Sequence, residues 1–231
     1  MTNTTSHVLF ISGAGLPAWV WDATRRALPS TTSSTVAPRP AAVGAGVADY
    51  AAAALQSAGA DRFVLVAHSA GGMVAAELLR RAPDRVAGLL ALSAVVPQTG
   101  RSAVSSLPFP QRLVFGAALR LAGTRPPESA IRRGLASGLD TSVADRVVSD
   151  FTPESTAYFT DTSSEHQRPA HRGYVTLTAD REYGPALQGR FRQTLDPTWQ
   201  TTLATGHLAM LEDPVGLAAE IDRFMSAVNA G

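Results

Sequence analysis

The chain has 231 residues, of which 45% are hydrophobic and 17% charged, so it is long enough and apolar enough to bury the core of one domain. Its 20 basic residues nearly balance 19 acidic ones and leave a net charge of +1, so we expect no nucleic-acid partner and no attraction to an anionic membrane. The sequence contains neither cysteine nor lysine, which excludes disulfides, thiolate nucleophiles and Schiff-base chemistry.

Strand-like and helix-like segments alternate along the chain, which is typical of a mainly parallel sheet with helices on both faces. The polar amino terminus and the short apolar run after it do not fit a signal peptide or a membrane span, so a cytoplasmic protein is expected. Strands are predicted at 8–12, 34–37, 62–67, 86–93, 173–178 and 198–203. Helices are predicted at 19–28, 47–58, 70–81, 185–194 and 214–228.

The stretch from about 97 to 172 breaks this rhythm, because prolines interrupt its short helical runs. We predict that it is a helical lid inserted into a single domain of residues 1–231. An insertion between two strands of a parallel sheet lies where such sheets bind ligands, so the lid is expected to cover the active site.

A serine turn follows the third predicted strand, in the order Ala67-His68-Ser69-Ala70-Gly71. A serine hydroxyl becomes a useful nucleophile where a sharp turn between a strand and a helix exposes it to a base. Small neighbours permit that turn, and the segment matches the pattern G-x-S-x-G except that Ala67 replaces the first glycine. An ordinary loop is the alternative, because glycine and serine are common in turns.

Two later segments favour the catalytic interpretation. The fifth predicted strand is followed by Asp180, and His207 lies in a loop before the last helix. The order serine, aspartate, histidine is that of one hydrolase architecture and differs from the orders of the two common serine protease folds. Glu182 lies two residues beyond Asp180 and is the alternative acid, although Asp180 stands directly at the end of the strand.

These motifs, together with the loop Ser12-Gly13-Ala14 after the first strand, resemble the α/β-hydrolase superfamily over nearly the whole chain. The segment Trp19-Val20-Trp21 is most similar to the small plant-type methylesterase and hydroxynitrile lyase branch. The resemblance implies a three-layer α/β-hydrolase fold with about six mainly parallel strands. It also implies that the backbone N–H groups of Ala14 and Ala70 form an oxyanion hole, in a loop where Ser12 replaces the usual histidine.

The resemblance further implies a triad in which Ser69 attacks a carbonyl, His207 accepts its proton and Asp180 orients the imidazole. His68 is expected to be a packed structural histidine, and no metal or other cofactor is expected because no histidines and carboxylates have the spacing of metal ligands. Apolar residues of the loops and the lid could line the substrate pocket or simply pack there. The candidates are Leu16, Trp19, Phe109, Phe115 and Leu208.

The leading interpretation is a serine hydrolase that acts on a small or hydrophobic carboxylic ester, with thioesters and lactones as close alternatives. Lyase or cyclisation chemistry with the same triad, and ligand binding without turnover, are the other hypotheses. A hydroxynitrile lyase is disfavoured because the enzymes it would resemble use a lysine. An aspartate-nucleophile hydrolase is disfavoured because Ser69 occupies that position. The sequence leaves the oligomeric state open.

Overall fold

The six apolar segments form one parallel sheet in the computed structural model, which describes residues 5–230. The strand order is β2-β1-β3-β4-β5-β6, and every neighbouring pair is parallel. Each predicted strand is confirmed, with ends displaced by no more than about two residues, a normal uncertainty for element boundaries. The strands are β1 His7–Ile11, β2 Ser33–Val36, β3 Phe63–His68, β4 Val86–Leu92, β5 His171–Leu177 and β6 Trp199–Leu203.

The helices lie between the strands, as the alternating pattern predicts. The prediction at 19–28 is wrong in part, because a 3₁₀ turn at Ala18–Trp21 precedes a shorter α-helix and buries Val20 and Trp21. The helices are α1 Asp22–Ala27, α2 Val47–Ser57, α3 Gly71–Arg81, α4 Ala103–Ser106, α5 Gln111–Ala122, α6 Glu128–Arg133, α7 Thr141–Asp150, α8 Thr156–Thr160, α9 Pro185–Leu195, α10 Ala209–Glu212 and α11 Pro214–Ala230.

The sheet is buried on both faces, which explains why its central strands are continuously apolar. All six residues of β3 are buried, and successive side chains point to opposite faces. Phe63 and Leu65 pack into the hydrophobic cluster that contains residues of α2, α3 and α9. Val64 and Val66 pack into the second cluster, which contains residues of α11. This three-layer arrangement confirms the predicted fold class.

The order of the strands places a crevice between β1 and β3. The chain passes from β1 to β2 on one side and returns to β3 on the other, and ligands of open parallel sheets bind at such a reversal. Between β4 and β5, residues 93–170 form an excursion that contains α4 to α8, which we call the insertion. The predicted lid boundary at 172 extends two residues into β5.

No helix within residues 5–230 has the length and apolar character needed to cross a membrane.

Candidate active site

Ser69 lies at the sharp turn between β3 and α3. Its φ of +53° is in the left-handed region, which a residue with a side chain adopts only at a cost of about 1–2 kcal/mol. Hydrogen bonds hold the turn on both sides, from the Ser69 N–H to the Leu92 carbonyl at 3.3 Å and from the Val95 N–H to the Ser69 carbonyl at 2.9 Å. The neighbouring strand end therefore stabilises the strained conformation that exposes the hydroxyl.

Two glycines allow α3 to begin immediately after this turn. A Cβ added to Gly71 would lie 2.6 Å from the Ser12 carbonyl oxygen, and one added to Gly72 would lie 1.8 Å from the Val95 carbonyl oxygen. Neither distance can be accommodated without movement of the backbone. The two glycines therefore permit the close packing that fixes the position of Ser69 above the sheet.

The structure brings together the three residues that the sequence analysis selected. The Ser69 hydroxyl lies 3.0 Å from His207 Nε2, and Asp180 Oδ2 lies 2.7 Å from His207 Nδ1. Both distances are within hydrogen-bonding range. All three residues are buried, and His207 has no exposed surface. Because a carboxylate only accepts hydrogen bonds, His207 Nδ1 carries the proton and Nε2 is free to accept one from Ser69.

The Asp180 carboxylate receives four hydrogen bonds. Oδ2 accepts from His207 and, at 2.7 Å, from the Ser93 hydroxyl, whereas Oδ1 accepts from the backbone N–H groups of Glu182 and Tyr183, each at 2.8 Å. Burial opposes the charge, but the hydrogen bonds from His207 and Ser93 outweigh it, and the pKa of Asp180 is lowered. Asp180 is therefore held as a carboxylate against the imidazole.

Ser93 was not selected in the sequence analysis. Ser93 has a φ of +40° and is fully buried. An available signal was a serine directly after an apolar strand, at the edge of the sheet where Ser69, Asp180 and His207 lie. Its hydroxyl donates to Asp180 and so helps to hold the carboxylate against His207.

The main chain of His207 is fixed from two directions. The His68 side chain donates from Nε2 to the His207 carbonyl oxygen at 2.9 Å, and Glu212 accepts the Gly206 N–H at 2.7 Å. Burial and the nearby charge of His207 lower the pKa of His68 to about 3, so His68 stays neutral. His68 thus has the position of a packed, hydrogen-bonded histidine.

Two backbone N–H groups border the nucleophile. Ala14 follows β1 and Ala70 follows Ser69, and both residues line the same cavity as Ser69. Neither N–H forms a hydrogen bond with another residue in the described part of the chain. Ser12 accepts a hydrogen bond from the Trp21 indole N–H at 2.9 Å, so its hydroxyl links this loop to the 3₁₀ turn at Ala18–Trp21. The backbone N–H groups of Ala14 and Ala70 are therefore available to stabilise negative charge that develops near Ser69.

The cavity above Ser69 has a volume of about 280 Å³ and lies under the insertion. Its walls are mainly apolar, and the insertion supplies most of them. Of the predicted pocket residues, Leu16 and Phe115 line the cavity. The other apolar side chains in its wall include Leu119, Ile131, Leu135, Phe151 and Phe159.

Three predicted pocket residues lie outside this cavity. Trp19 lies against α7 of the insertion, where its indole donates to Asp150 at 2.9 Å and the Arg146 guanidinium covers its ring at 3.9 Å. Phe109 is 69% exposed, and Leu208 packs into the second core cluster. The sequence identified these residues as apolar, but the direction in which each side chain points depends on the tertiary packing.

Glu182 and Tyr183 occupy the rim of the cavity beside Ser69. Glu182 donates its backbone N–H to Asp180, while its carboxylate lies close to Gly134 of the insertion. The His207 imidazole is therefore paired with Asp180 and not with Glu182. Partial loss of hydration raises the pKa of Glu182, although the residue is exposed to solvent.

Tyr183 was not selected from the sequence. Its ring contacts the His207 imidazole edge-on at a centroid distance of 5.2 Å. Burial, reinforced by the charge of Glu182, raises the pKa of the Tyr183 hydroxyl, which therefore stays protonated near neutral pH. The buried Gln188 side chain donates to the Tyr183 carbonyl at 2.6 Å and so fixes the turn that carries both Asp180 and Tyr183.

The other histidines lie away from the triad. His7 Nδ1 is 2.7 Å from the Ser33 hydroxyl, His166 Nδ1 is 3.1 Å from the Ser164 carbonyl oxygen, and His171 begins β5. Across residues 5–230, no group of three or more histidine, aspartate or glutamate side chains could hold a metal ion.

Sequence comparison identifies relatives of known class. The model of the alpha/beta hydrolase family matches residues 8–220. A protein from Oryza sativa subsp. indica, named "Probable esterase PIR7A", is 32% identical over 114 residues. That match covers 44% of this chain and 43% of the relative, so it spans less than half of either protein.

Solved structures share the fold. A pyrethroid hydrolase from Sphingobium faniae JZ-2 aligns with a TM-score of 0.76 at 22% identity, over 97% of this chain and 98% of its own. The methylesterase MES16 from Arabidopsis aligns with a TM-score of 0.76 at 19% identity, over 96% and 99%. The second of these is a plant methylesterase, the branch that the sequence analysis named.

Proposed function

The chain belongs to the alpha/beta hydrolase family, and on that basis we propose that it is a serine hydrolase that cleaves carboxylic esters through an acyl-enzyme. The observation that carries the proposal is the continuous hydrogen-bonded chain from the Ser69 hydroxyl through His207 to Asp180. A fold alone does not define a reaction, but this hydrogen-bonded chain joins a nucleophile to a base and the base to an orienting acid.

The reaction proceeds in two balanced steps. The Ser69 oxygen forms a bond to the ester carbonyl carbon while His207 Nε2 takes the hydroxyl proton, and the imidazolium then protonates the departing alkoxide as the ester bond breaks. Water next attacks the acyl-enzyme while His207 accepts one of its protons, and the imidazolium then returns that proton to the Ser69 oxygen as its bond to the acyl carbon breaks, which releases the carboxylic acid and free Ser69. The buried Asp180 carboxylate stabilises the imidazolium in both steps.

The backbone N–H groups of Ala14 and Ala70 hold the oxyanion that forms in each step. A fixed donor of this kind contributes about 3 kcal/mol of transition-state stabilisation, because it is oriented before the charge develops. Support for this role comes from the position of both residues on the wall of the cavity that contains Ser69.

The cavity favours a small hydrophobic ester as the substrate. A volume of about 280 Å³ accommodates about nine groups of the size of a water molecule, at about 30 Å³ each. Aromatic and aliphatic side chains of the insertion, such as Phe115 and Leu119, form its wall. A six-carbon acyl group and its two ester oxygens comprise about eight such groups, so an acyl chain of up to about six carbons would fit without displacing the insertion.

Hydrolysis of p-nitrophenyl esters with acyl chains from acetate to dodecanoate tests the proposal, with Ser69→Ala as the matched control. We expect kcat/KM to be highest for a short or medium chain and to fall at least a thousandfold in Ser69→Ala, which keeps the fold but lacks the nucleophile. Hydrolysis at an equal rate by both proteins would contradict the proposal. Saturable binding of esters without any turnover would instead indicate a ligand-binding protein.

A further inference from the structure

Residues 151–154 of the insertion surround Gly15, which directly follows Ala14 in the oxyanion loop. Glu154 Oε1 accepts the Gly15 N–H at 2.9 Å, and the Thr152 N–H donates to the Gly15 carbonyl oxygen at 3.0 Å. Gly15 has a φ of +78°, and a Cβ there would lie 2.1 Å from the Phe151 ring. Both polar groups of Gly15 are thus bound by the insertion, and its lack of a side chain allows the close contact.

The second carboxylate oxygen of Glu154 also accepts hydrogen bonds. Oε2 accepts hydrogen bonds from the Arg39 guanidinium and from the Tyr50 hydroxyl. The Glu154 side chain is 3% exposed, whereas that of Arg39 is 29% exposed. A buried carboxylate is costly unless it is paired and hydrogen-bonded, and this one is both. Because Arg39 balances its charge, Glu154 can lie near the oxyanion loop with little repulsion of an oxyanion.

We propose that Glu154 is a positioning residue that holds the Ala14 N–H in the orientation needed for the oxyanion. The proposal rests on the proposed function. The Ala14–Gly15 peptide plane is fixed at the Gly15 N–H by Glu154, and the following plane is fixed at the Gly15 carbonyl by Thr152. The Ala14 N–H itself belongs to the preceding Gly13–Ala14 plane, whose Gly13 carbonyl accepts the Leu16 N–H at 3.3 Å. Because the two planes that follow are held by the insertion, rotation of the Ala14 N–H away from Ser69 is restricted. Glu154 does not itself line the Ser69 cavity.

Glu154→Gln is the sharpest perturbation, because no orientation of the new amide satisfies its surroundings. An NH₂ group at the Oε1 position meets the Gly15 N–H, and one at the Oε2 position meets the Arg39 guanidinium, which only donates. We expect kcat for a short ester to fall by about ten- to a hundredfold with KM within about threefold, since misplaced oxyanion donors affect the transition state and not ground-state binding. Tyr50→Phe removes one donor to Oε2 and should give a smaller loss of kcat.

Asp161→Asn provides the matched control. Asp161 is another carboxylate of the insertion that accepts a backbone N–H of the main body, from Val47 at 3.0 Å, but it does not contact the oxyanion loop. Active-site titration with a fluorophosphonate corrects each protein for its folded fraction. An alkyl trifluoromethyl ketone, which forms a tetrahedral oxyanion on Ser69, should bind Glu154→Gln more weakly by the same factor as kcat falls. It should bind Asp161→Asn as it binds the wild type.

Amide hydrogen exchange of residues 13–16, measured by NMR on the same proteins, separates this proposal from the proposed function. We expect at least tenfold faster exchange at Gly15 in Glu154→Gln and no change there in Asp161→Asn. Absence of ester turnover in the wild type would refute the proposed function, while the exchange rates would still decide whether Glu154 orders the loop. Unchanged exchange at Gly15, or kcat and ketone affinity within twofold of the wild type in Glu154→Gln, would overturn the proposal.

Discussion

Replacement of Asp180 by asparagine tests the triad through the tautomer of its histidine. Asp180 Oδ1 accepts two backbone N–H groups, those of Glu182 and Tyr183, each at 2.8 Å. Oδ2 accepts from His207 Nδ1 and from the Ser93 hydroxyl, each at 2.7 Å. Asparagine keeps the shape of the side chain, but one of these two oxygens must become an NH₂ group that can only donate.

The surroundings determine which oxygen is replaced. The two backbone N–H groups at Oδ1 cannot turn away, whereas the Ser93 hydroxyl at Oδ2 can rotate and become an acceptor. The amide NH₂ therefore takes the Oδ2 position and donates to His207 Nδ1. The imidazole proton is then carried by Nε2, which faces the Ser69 hydroxyl and can no longer accept its proton.

The expected cost is close to the full loss of general-base catalysis. A histidine held in the wrong tautomer lowers kcat by about 10⁴, which corresponds to about 5.4 kcal/mol of transition-state stabilisation. The folded structure should change little, because the four groups around residue 180 keep hydrogen-bond partners. Steady-state hydrolysis of a p-nitrophenyl ester measures the loss, and circular dichroism during thermal unfolding checks the fold.

Glu182→Gln is the matched control for this prediction, since Glu182 is the other acid near the strand end and its carboxylate is not bonded to His207 in the described network. We expect kcat in Glu182→Gln to stay within about threefold of the wild type. A loss of less than tenfold in Asp180→Asn, or a larger loss in Glu182→Gln than in Asp180→Asn, would refute the reasoning and assign the acid to Glu182.

Three other substitutions test the packing, the buried histidine and the cavity. The Cβ of Gly72→Ala would meet the Val95 carbonyl oxygen at 1.8 Å, so this variant should destabilise the fold by about 3 kcal/mol and lower Tm by about 6–12 °C. Gly189→Ala, at an uncrowded helical position, should not lower Tm, and equal Tm values for the two variants would be inconsistent with the close contact. In the folded protein the pKa of His68 is about 3, against an ordinary 6.5, so the unfolded chain binds more protons between these pH values and the wild type loses up to about 1.4 kcal/mol of stability per pH unit as the pH falls. His68→Gln should lose less stability between about pH 6 and pH 4, as measured by urea unfolding. An unchanged dependence of stability on pH would argue against a neutral His68. Because Ala118 lines the cavity, Ala118→Phe should lower kcat/KM about tenfold for a hexanoate ester and less than twofold for an acetate ester. Equal losses for both esters would place the acyl chain elsewhere.

The sheet could be predicted from the sequence because its strands are buried on both faces. Continuous apolar runs such as 63–67 are long enough to be recognised, and small or polar residues mark where they end. Ser69, Asp180 and His207 could be selected because each follows such a strand or precedes a helix. Parallel strands bring their carboxyl ends to one edge, so the position of these residues along the chain already implies their proximity.

The pocket and the supporting residues could not be predicted in the same way. Trp19, Phe109 and Leu208 are apolar, but only the tertiary packing determines that they lie outside the Ser69 cavity. Glu154 is one carboxylate in a polar stretch of the sequence, and its role depends on bonds to residues more than 100 positions away, Arg39 and Gly15. Such long-range contacts cannot be predicted from the local periodicity of apolar residues.

Intact-protein mass spectrometry after treatment with a fluorophosphonate, followed by peptide mapping, tests the central claim most directly, because the reagent reacts with an activated serine. We predict a single adduct on Ser69 in the wild type, none in Ser69→Ala, and labelling at least a hundredfold slower in His207→Ala, since His207 must accept the hydroxyl proton. An adduct that persists in Ser69→Ala, or a folded wild-type protein that forms no adduct, would contradict an activated Ser69.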